Sequence, residues 1–305
     1  MMKRCLFLIF TLLLAVTNAF TETVDDYLDI GKKYFYESNF HEARAAVLEA
    51  IRLDPNYALA YFNLGVVCYY LSDISSALEY FSRAIELDNT LAEAYAWRGV
   101  IFAETNNHAS ALENYNMAVH LEPENDKHFL NRALFFYLSV GAFTQAHSDF
   151  NKAIELNPLF FENFQQRGVF LDQQGLSEQA LDDLNEAINL NSEIVKNFTI
   201  RGTILFNLGR FEEAMKDFDA AVRLGSNDIW SYLQRGIANV LLERHCEAIM
   251  DFTEAIRIDP NNRDAYINRS VAYGHLANLV TDPMQRVDYM QRAQEDEKAA
   301  ERLVN

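Results

Sequence analysis

The stretch ALAYFNLGVVCYYLSDISSALEYFSRAIELDNTL, residues 58–91, decides the fold because variants of it recur along most of the chain. Its glycine belongs to a column with a spacing of 34 residues and one step of 35, occupied by Gly31, Gly65, Gly99, Ala133, Gly168, Gly202, Gly236 and Ser270. Two further columns contain only alanine, at 43, 77, 111, 146, 180, 214 and 248 and again seven residues later. Between them lies a bulky column of Val47, Phe81, Tyr115, Phe150, Leu184, Phe218 and Phe252. A fixed period near 34 residues indicates an array of helix–turn–helix units.

The small and bulky columns predict how the two helices of each unit pack. Glycine inside a helix costs about 1 kcal/mol of helix propensity. We therefore expect two helices to cross closely at each glycine, with the bulky residue filling the space beside it. The turn within a unit carries Gly141, Gly175 or Gly209, which favours a left-handed cap, and Ser38, Ser72 and Asn106 take that position in earlier units. We place the one extra residue of the fourth unit in the turn near Gly141.

A polar pattern accompanies the packing pattern. An arginine precedes the glycine column in six units, and an acidic or polar residue stands eighteen positions earlier on the preceding second helix. We predict ion pairs that link each unit to the next, from Asp149–Arg167 to Asp251–Arg269. The arginine in the same unit as each aspartate is the competing partner. Partly buried pairs of this kind usually set packing register rather than form a functional site.

These columns resemble the tetratricopeptide repeat, whose pattern is an aromatic, Leu-Gly, an aromatic, then Ala, an aromatic, Ala and Pro over 34 residues. Residues 61–65 (YFNLG) with Ala77, Phe81 and Ala84 match it closely, and the seventh unit ends with Pro260. The resemblance implies an all-α, right-handed superhelical solenoid of about eight 34-residue helix–turn–helix repeats with a C-terminal capping helix. The implied bounds of the repeats are 24–57, 58–91, 92–125, 126–160, 161–194, 195–228 and 229–262, followed by a degenerate eighth repeat and the capping helix over 263–305.

The amino terminus has the pattern of a secretory signal peptide. Lys3 and Arg4 precede an uncharged, apolar run over residues 5–19, and Thr17 and Ala19 place small residues at the −3 and −1 positions of a cleavage site. We therefore expect residues 1–19 to be removed and the chain to be periplasmic or secreted, without a membrane anchor after cleavage. An uncleaved N-terminal anchor and a eukaryotic secretory lumen remain the alternatives.

Composition excludes some partners. The formal charge is −18, and removing residues 1–19 takes away two cations, which gives 24 − 44 = −20. Such a charge repels phosphate backbones, so we expect no nucleic-acid binding. No metal-ligand spacing, phosphate loop or nucleophile motif stands out, and the remaining cysteines, Cys68 and Cys246, lie five repeats apart. The sequence predicts no catalytic residues, no metal, no cofactor and no enzyme activity.

The resemblance also implies a binding surface, because first helices line the concave face in this family. The inward slots that we expect to contact a partner are Phe35, Tyr36, Phe62, Val66, Tyr69, Tyr70, Leu130, Tyr137, Phe206 and Trp230. A peptide or helical segment of another protein is the expected guest. The chaperone-adaptor branch captures a peptide carboxylate with Lys and Asn, whereas one such slot here holds Val66, Leu134, Ile237 and Val271, which argues against that mode.

Three readings of function follow. The first is a non-catalytic scaffold or adaptor that holds a partner segment in its groove. The second is a structural component of an envelope or secretory assembly, which includes self-association. The third is a module that regulates a catalytic partner in trans. Asn197 and Asn268 also match the N-glycosylation acceptor pattern, and a glycan at either would indicate a secretory lumen.

Overall fold

The computed structural model describes residues 22–225 and 227–303, and this part of the chain is all-α. The predicted signal peptide, residues 1–19, lies outside it. The first helices of the successive pairs are α1 Val24–Tyr36, α3 Ala58–Tyr70, α5 Ala92–Glu104, α7 Asp126–Phe135, α9 Phe161–Gln173, α11 Val195–Asn207, α13 Ile229–Leu241 and α15 Arg263–Leu279. The second helices are α2 Phe40–Leu53, α4 Ile74–Leu87, α6 His108–Leu121, α8 Phe143–Leu156, α10 Ser177–Leu190, α12 Phe211–Leu224, α14 His245–Ile258 and α16 Pro283–Arg302. The all-α fold class is confirmed.

The chain divides after Asp149 into two compact units. The first contains α1 to α7 and the start of α8, and the second contains the rest of α8 and α9 to α16. Within each unit the two helices of a pair pack on one another, and the second helix of a pair packs on the first helix of the next.

Local sequence explains where the helices begin and turn. Thr23 caps α1 through a capping box, in which its hydroxyl accepts from the Asp26 amide and the Asp26 carboxylate accepts from the Thr23 amide. The predicted left-handed turn residues are confirmed, with φ of 60° at Ser38, for example, and 76° at Gly175. The same conformation holds Glu243 at φ 59°, where the sequence offered no glycine or asparagine signal.

The glycine column lies at close helix crossings, as its composition predicts. A Cβ built on Gly65 would stand 2.7 Å from the ring of Phe81, and one on Gly236 would stand 2.6 Å from the ring of Phe252. The two phenylalanines are fully buried, as are the paired alanines such as Ala77 and Ala84. The interior of each helix pair is therefore one large side chain enclosed by positions that must stay small.

The placement of the extra residue in the fourth repeat was wrong. After α7 the chain continues as a π-helical segment, Phe136–Val140, and only then reaches the left-handed Gly141. From Gly141 onward the spacing matches the other repeats, so the insertion lies inside the end of the first helix. A π-helical turn accommodates one extra residue in a helix without moving the segments on either side, which leaves Ala146 in its column.

The main partner in the predicted ion pairs was also wrong, and the competing partner is the observed one. The Arg167 guanidinium lies 2.7 Å from Asp183 and the Arg201 guanidinium 2.6 Å from Asp217, so each pair joins the two helices of one repeat. The pairs are bidentate, because Nε and Nη2 donate to the two carboxylate oxygens. Same-repeat partners satisfy the sequence correlation equally well, because both spacings keep the two columns in step.

The contact between consecutive repeats comes from the remaining nitrogen of the same arginines. Nη1 of Arg201 donates to Asn185 at 2.7 Å, and Nη1 of Arg235 donates to Asp219 at 3.0 Å. These acceptors lie on the preceding second helix, two residues beyond the aspartate column. One guanidinium therefore fixes both the pair and the stacking of that pair on its neighbour.

The last helix pair keeps this device in altered form. Arg269 pairs with Asp296 of α16 at 2.7 Å, so the degenerate eighth repeat retains the same-repeat ion pair. Both helices are longer than their counterparts, with 17 residues in α15 and 20 in α16, compared with 13 in α13 and 14 in α14. The extended ends expose several apolar side chains: Leu279, Met284, Val287 and Met290.

Candidate binding grooves

The first helices of repeats 1 to 3 line a concavity of about 250 Å³, the first concavity below. Four of the predicted contact residues lie in its wall: Phe35, Tyr36, Phe62 and Val66. Tyr36 is 84% exposed, whereas the other three are half-buried. The structure therefore brings the amino-terminal part of the predicted surface together.

A second concavity of about 530 Å³ contains the other two predicted residues of the second repeat, Tyr69 and Tyr70. Trp97 lines both concavities and separates them. The remaining wall of the second concavity is polar as well as apolar: Glu93, Ala96, Val100, Asn125, Lys127, His128 and Asn131.

Aromatic contacts hold this surface in one arrangement. Phe35 meets Tyr70 edge to face at a centroid distance of 4.9 Å, and Tyr70 stacks on Phe40 at 5.5 Å. Trp97 meets Tyr69 edge to face at 5.2 Å and stacks on the buried Phe81 at 6.1 Å. Such pairs add roughly 0.5–1.5 kcal/mol each beyond area burial, so the rings form a rigid lining.

Tyr69 is tied down by a polar contact as well. Its hydroxyl donates to the carboxylate of Glu104 on α5. Burial, together with this hydrogen bond to an anion, raises the pKa of Tyr69 to about 12. The phenol therefore keeps its proton at physiological pH and remains a donor to Glu104.

A third concavity, of about 650 Å³, lies in the second unit and is lined mainly by α9 and α11. The predicted residue Trp230 belongs to its wall and is 53% exposed. Val169, Val195, Ile200 and Ile204 supply apolar lining, and Gln166, Asp172, Lys196, Thr199, Thr203 and Asp228 supply polar groups. Phe206 does not line this concavity and instead packs edge to face on Phe211 at 5.3 Å.

Two predicted contact residues are buried. Leu130 is 5% exposed and Tyr137 is 9% exposed, so neither presents a surface to a partner. Leu130 stands three residues before its glycine-column position, a slot that is also buried at Leu28 and Leu233. Tyr137 lies in the π-helical segment, whose geometry the 34-residue pattern does not describe.

Trp97 is the functional candidate that the sequence reasoning missed. It stands two residues before Gly99, and the same column holds amides in several other repeats: Asn63, Asn131, Gln166, Gln234 and Asn268. A tryptophan in a column of amides was the signal that could have identified it.

The predicted glycosylation acceptor Asn197 is fully buried, and its side-chain oxygen accepts a hydrogen bond from Gln165. In the next repeat Thr199 contacts Ser231 at 3.2 Å in the corresponding position. These polar groups occupy the seam between neighbouring first helices, so Asn197 cannot carry a glycan in the folded chain. Asn268 is half-buried.

Cysteine, metal-ligand and membrane features were also searched in the described residues. Cys68 is buried and Cys246 is exposed, and both are free thiols. No cluster of three or more His, Cys, Asp or Glu side chains in residues 22–225 and 227–303 could hold a metal ion. Within the same ranges, no helix combines the length and the hydropathy needed to cross a bilayer.

Comparison with known proteins gives a consistent result. One tetratricopeptide-repeat family model matches residues 28–92 and 69–126, and a second matches residues 195–228. The chain is a tetratricopeptide-repeat protein. Its helix pairs, its glycine and alanine columns and its solved structural neighbours all agree with this family. Comparison with curated protein sequences finds no match.

Three solved structures illustrate the likeness of this tetratricopeptide-repeat protein to others. Yeast Tom70 has a TM-score of 0.63 and 18% identity over 91% of this chain and 65% of its own. A tetratricopeptide-repeat protein from Parabacteroides merdae has a TM-score of 0.58 and 17% identity over 82% of this chain and 98% of its own. PilF of Pseudomonas aeruginosa has a TM-score of 0.59 and 20% identity over 68% of this chain and 94% of its own. At these identities the likeness shows the fold, which is that of a protein–protein interaction scaffold.

Proposed function

We propose that this tetratricopeptide-repeat protein is a non-catalytic adaptor that holds a segment of a partner protein against the first helices of repeats 1 to 3. One observation carries the proposal, namely the aromatic lining shared by the first and second concavities. Tyr36 and Tyr70 stay exposed there although the chain has abundant polar residues to place on its surface. Aromatic side chains are enriched in the cores of protein interfaces, and a rigid lining lowers the entropic cost of binding.

Site-specific photo-crosslinking in the native host tests the adaptor role. The photoreactive residue would replace Tyr70, and a control would carry it at Asp182, an exposed position on the second helix α10. We expect one discrete protein to be captured from position 70 alone, and the purified partner to bind wild type at least tenfold more tightly than Tyr70→Ala. Equal capture from both positions would contradict the proposal.

We also propose that the chain works in an extracytoplasmic compartment, periplasmic or secreted, after removal of residues 1–19. The support is the charge and hydropathy pattern of that segment. Cys246 offers a direct test because it is exposed while Cys68 is buried. A membrane-impermeant maleimide should label Cys246 in intact cells or in the surrounding medium, and N-terminal sequencing should begin at Phe20. Labelling only after lysis, with an intact N-terminus, would exclude this compartment.

The exposed apolar end of the last helix pair supports a second candidate, an assembly role through that end. Leu279, Met284, Val287 and Met290 are each at least 60% exposed. Exposed apolar patches commonly mark interaction surfaces. Light scattering after size-exclusion chromatography would measure self-association. If the mass rises with concentration and falls to the monomer value in Met284→Ser/Val287→Ser, this end joins copies of the chain, and a monomer at all concentrations excludes that role.

A further inference from the structure

A buried histidine in the wall of the second concavity has an unused hydrogen-bonding group. His128 is 3% exposed, and its Nε2 lies 3.0 Å from the Glu122 carboxylate. Because the carboxylate can only accept, Nε2 carries the proton of the neutral ring and Nδ1 keeps its lone pair. Nδ1 has no hydrogen-bond partner in the described structure. A buried acceptor without a donor is costly, and such a group commonly marks an unmodelled or absent ligand.

The groups around this acceptor suit a cation. Glu93 lies in the same wall, and two further carboxylates adjoin it, with Glu122 bound to His128 and Glu104 bound to Tyr69. Lys127 is the one cationic side chain of that wall, and it is exposed at α7. The formal balance of these groups is therefore negative, in a chain whose net charge is −18.

The aromatic part of the wall points the same way. Tyr70 and Trp97 line the concavity, and their stacking on Phe40 and Phe81 holds them in place. A cation over an aromatic ring gains roughly 0.5–2 kcal/mol, and guanidinium groups are the side chains most often found there. A guanidinium also carries five donors in a planar fork, enough to reach a carboxylate and the imidazole acceptor together.

We propose that the second concavity binds a cationic side chain, arginine above all, of a basic peptide segment in the partner protein. The proposal rests on the adaptor role of the groove and adds to it the chemistry of the partner. The cation bonds to Glu93, lies against the rings of Trp97 and Tyr70, and donates to His128 Nδ1. The neighbouring first concavity, with its apolar wall, receives an adjacent apolar side chain of the same segment.

A random dodecapeptide library displayed on phage, selected against the purified full chain, tests this chemistry. A selected peptide is then synthesised with arginine and with citrulline, which has the same shape but no charge, and both are titrated by calorimetry. Glu93→Gln removes the carboxylate at an exposed position. Glu162→Gln is the matched control, because Glu162 occupies the same repeat position in α9. Thermal melts check that both variants fold as wild type does.

We expect the selected peptides to be enriched in arginine and citrulline to weaken binding at least tenfold. Glu93→Gln should weaken the arginine peptide at least fivefold and leave the citrulline peptide unchanged, whereas Glu162→Gln should change neither. Selected peptides without basic residues, or binding indifferent to Glu93→Gln, would overturn the cation site while leaving the adaptor role intact. If no peptide is selected by the wild-type chain, the adaptor role fails and the cation site fails with it.

Discussion

Single residues set the spacing of each helix pair. The glycine column is required only where a bulky neighbour occupies the space of a Cβ, as Phe252 does beside Gly236. Gly274 differs, because a Cβ there would meet nothing within 4 Å although it lies inside α15. The two glycines look alike in the sequence and have opposite roles.

This contrast gives a prediction with an internal control. Gly236→Ala should lower the free energy of unfolding, because overpacking costs about 1–3 kcal/mol against about 1 kcal/mol gained in helix propensity. Gly274→Ala should raise it by up to about 1 kcal/mol, because only the propensity term remains. Urea denaturation followed by circular dichroism measures both. Equal shifts of the same sign would contradict the packing description.

At the scale of the helix pair, the bidentate arginine determines register. Arg201 bonds Asp217 of its own repeat through two nitrogens and Asn185 of the preceding one through the third. Losing one partner of such a buried pair leaves a charge uncompensated, at a cost of about 3–5 kcal/mol.

A pair of double-mutant cycles tests which contact matters. The cycle of Arg201→Leu with Asp217→Asn should give a coupling energy of at least about 1 kcal/mol, because the groups are in direct contact. The cycle of Arg201→Leu with Asp183→Asn, the pairing between repeats that we first expected, should give a coupling near zero. Chemical denaturation supplies the four stabilities of each cycle. A larger coupling in the second cycle would restore the pairing between repeats.

The packing of α14 against α15 contains a pH-sensitive contact. His245 is buried and stacks on His275 at a centroid distance of 4.8 Å. Burial, and then the neighbouring imidazole, lower the pKa of His245 below its usual value, and Glu243 opposes the shift in part. The unfolded chain therefore binds a proton that the folded chain does not, over the interval between the two pKa values.

The sign of the effect follows from linkage. Stability conferred by neutral His245 is fully present above an unfolded pKa of about 6.5 and is lost as the pH falls through that value. The melting temperature should therefore drop between pH 7 and pH 5, and His245→Gln should flatten this dependence. His41→Gln, at an exposed position on α2, is the control and should leave the pH profile as in wild type.

At the scale of the whole molecule, stability is local. Repeat arrays are held by contacts within a repeat and between neighbours, so a defect spreads only a short distance along the chain. Gly65→Ala places a Cβ against the buried ring of Phe81 and strains the pair α3/α4. Hydrogen exchange should accelerate in α3, α4 and the adjoining α2 and α5, with α13 to α16 unchanged. Uniform acceleration would indicate one cooperative unit instead.

Particular residues show how far the sequence could predict the candidate site. Phe35, Tyr36, Phe62, Val66, Tyr69 and Tyr70 were assigned to the inner surface by their repeat positions, and all six line the two concavities of the first unit. Their binding of a partner stays a prediction. Leu130 was assigned by the same rule and is buried, because periodicity specifies the face of a helix and not how closely the next helix covers it.

By itself the sequence determined the period, the helix pairs, the turns and the residues that must stay small. These are local or nearest-neighbour properties, and a repeating pattern states each of them several times. Only the tertiary structure decided which partner each arginine takes, where the extra residue of the fourth repeat lies, and that Trp97 and His128 share one concavity. Those outcomes depend on distances between side chains far apart in the chain, and such distances follow from the packing of whole helices.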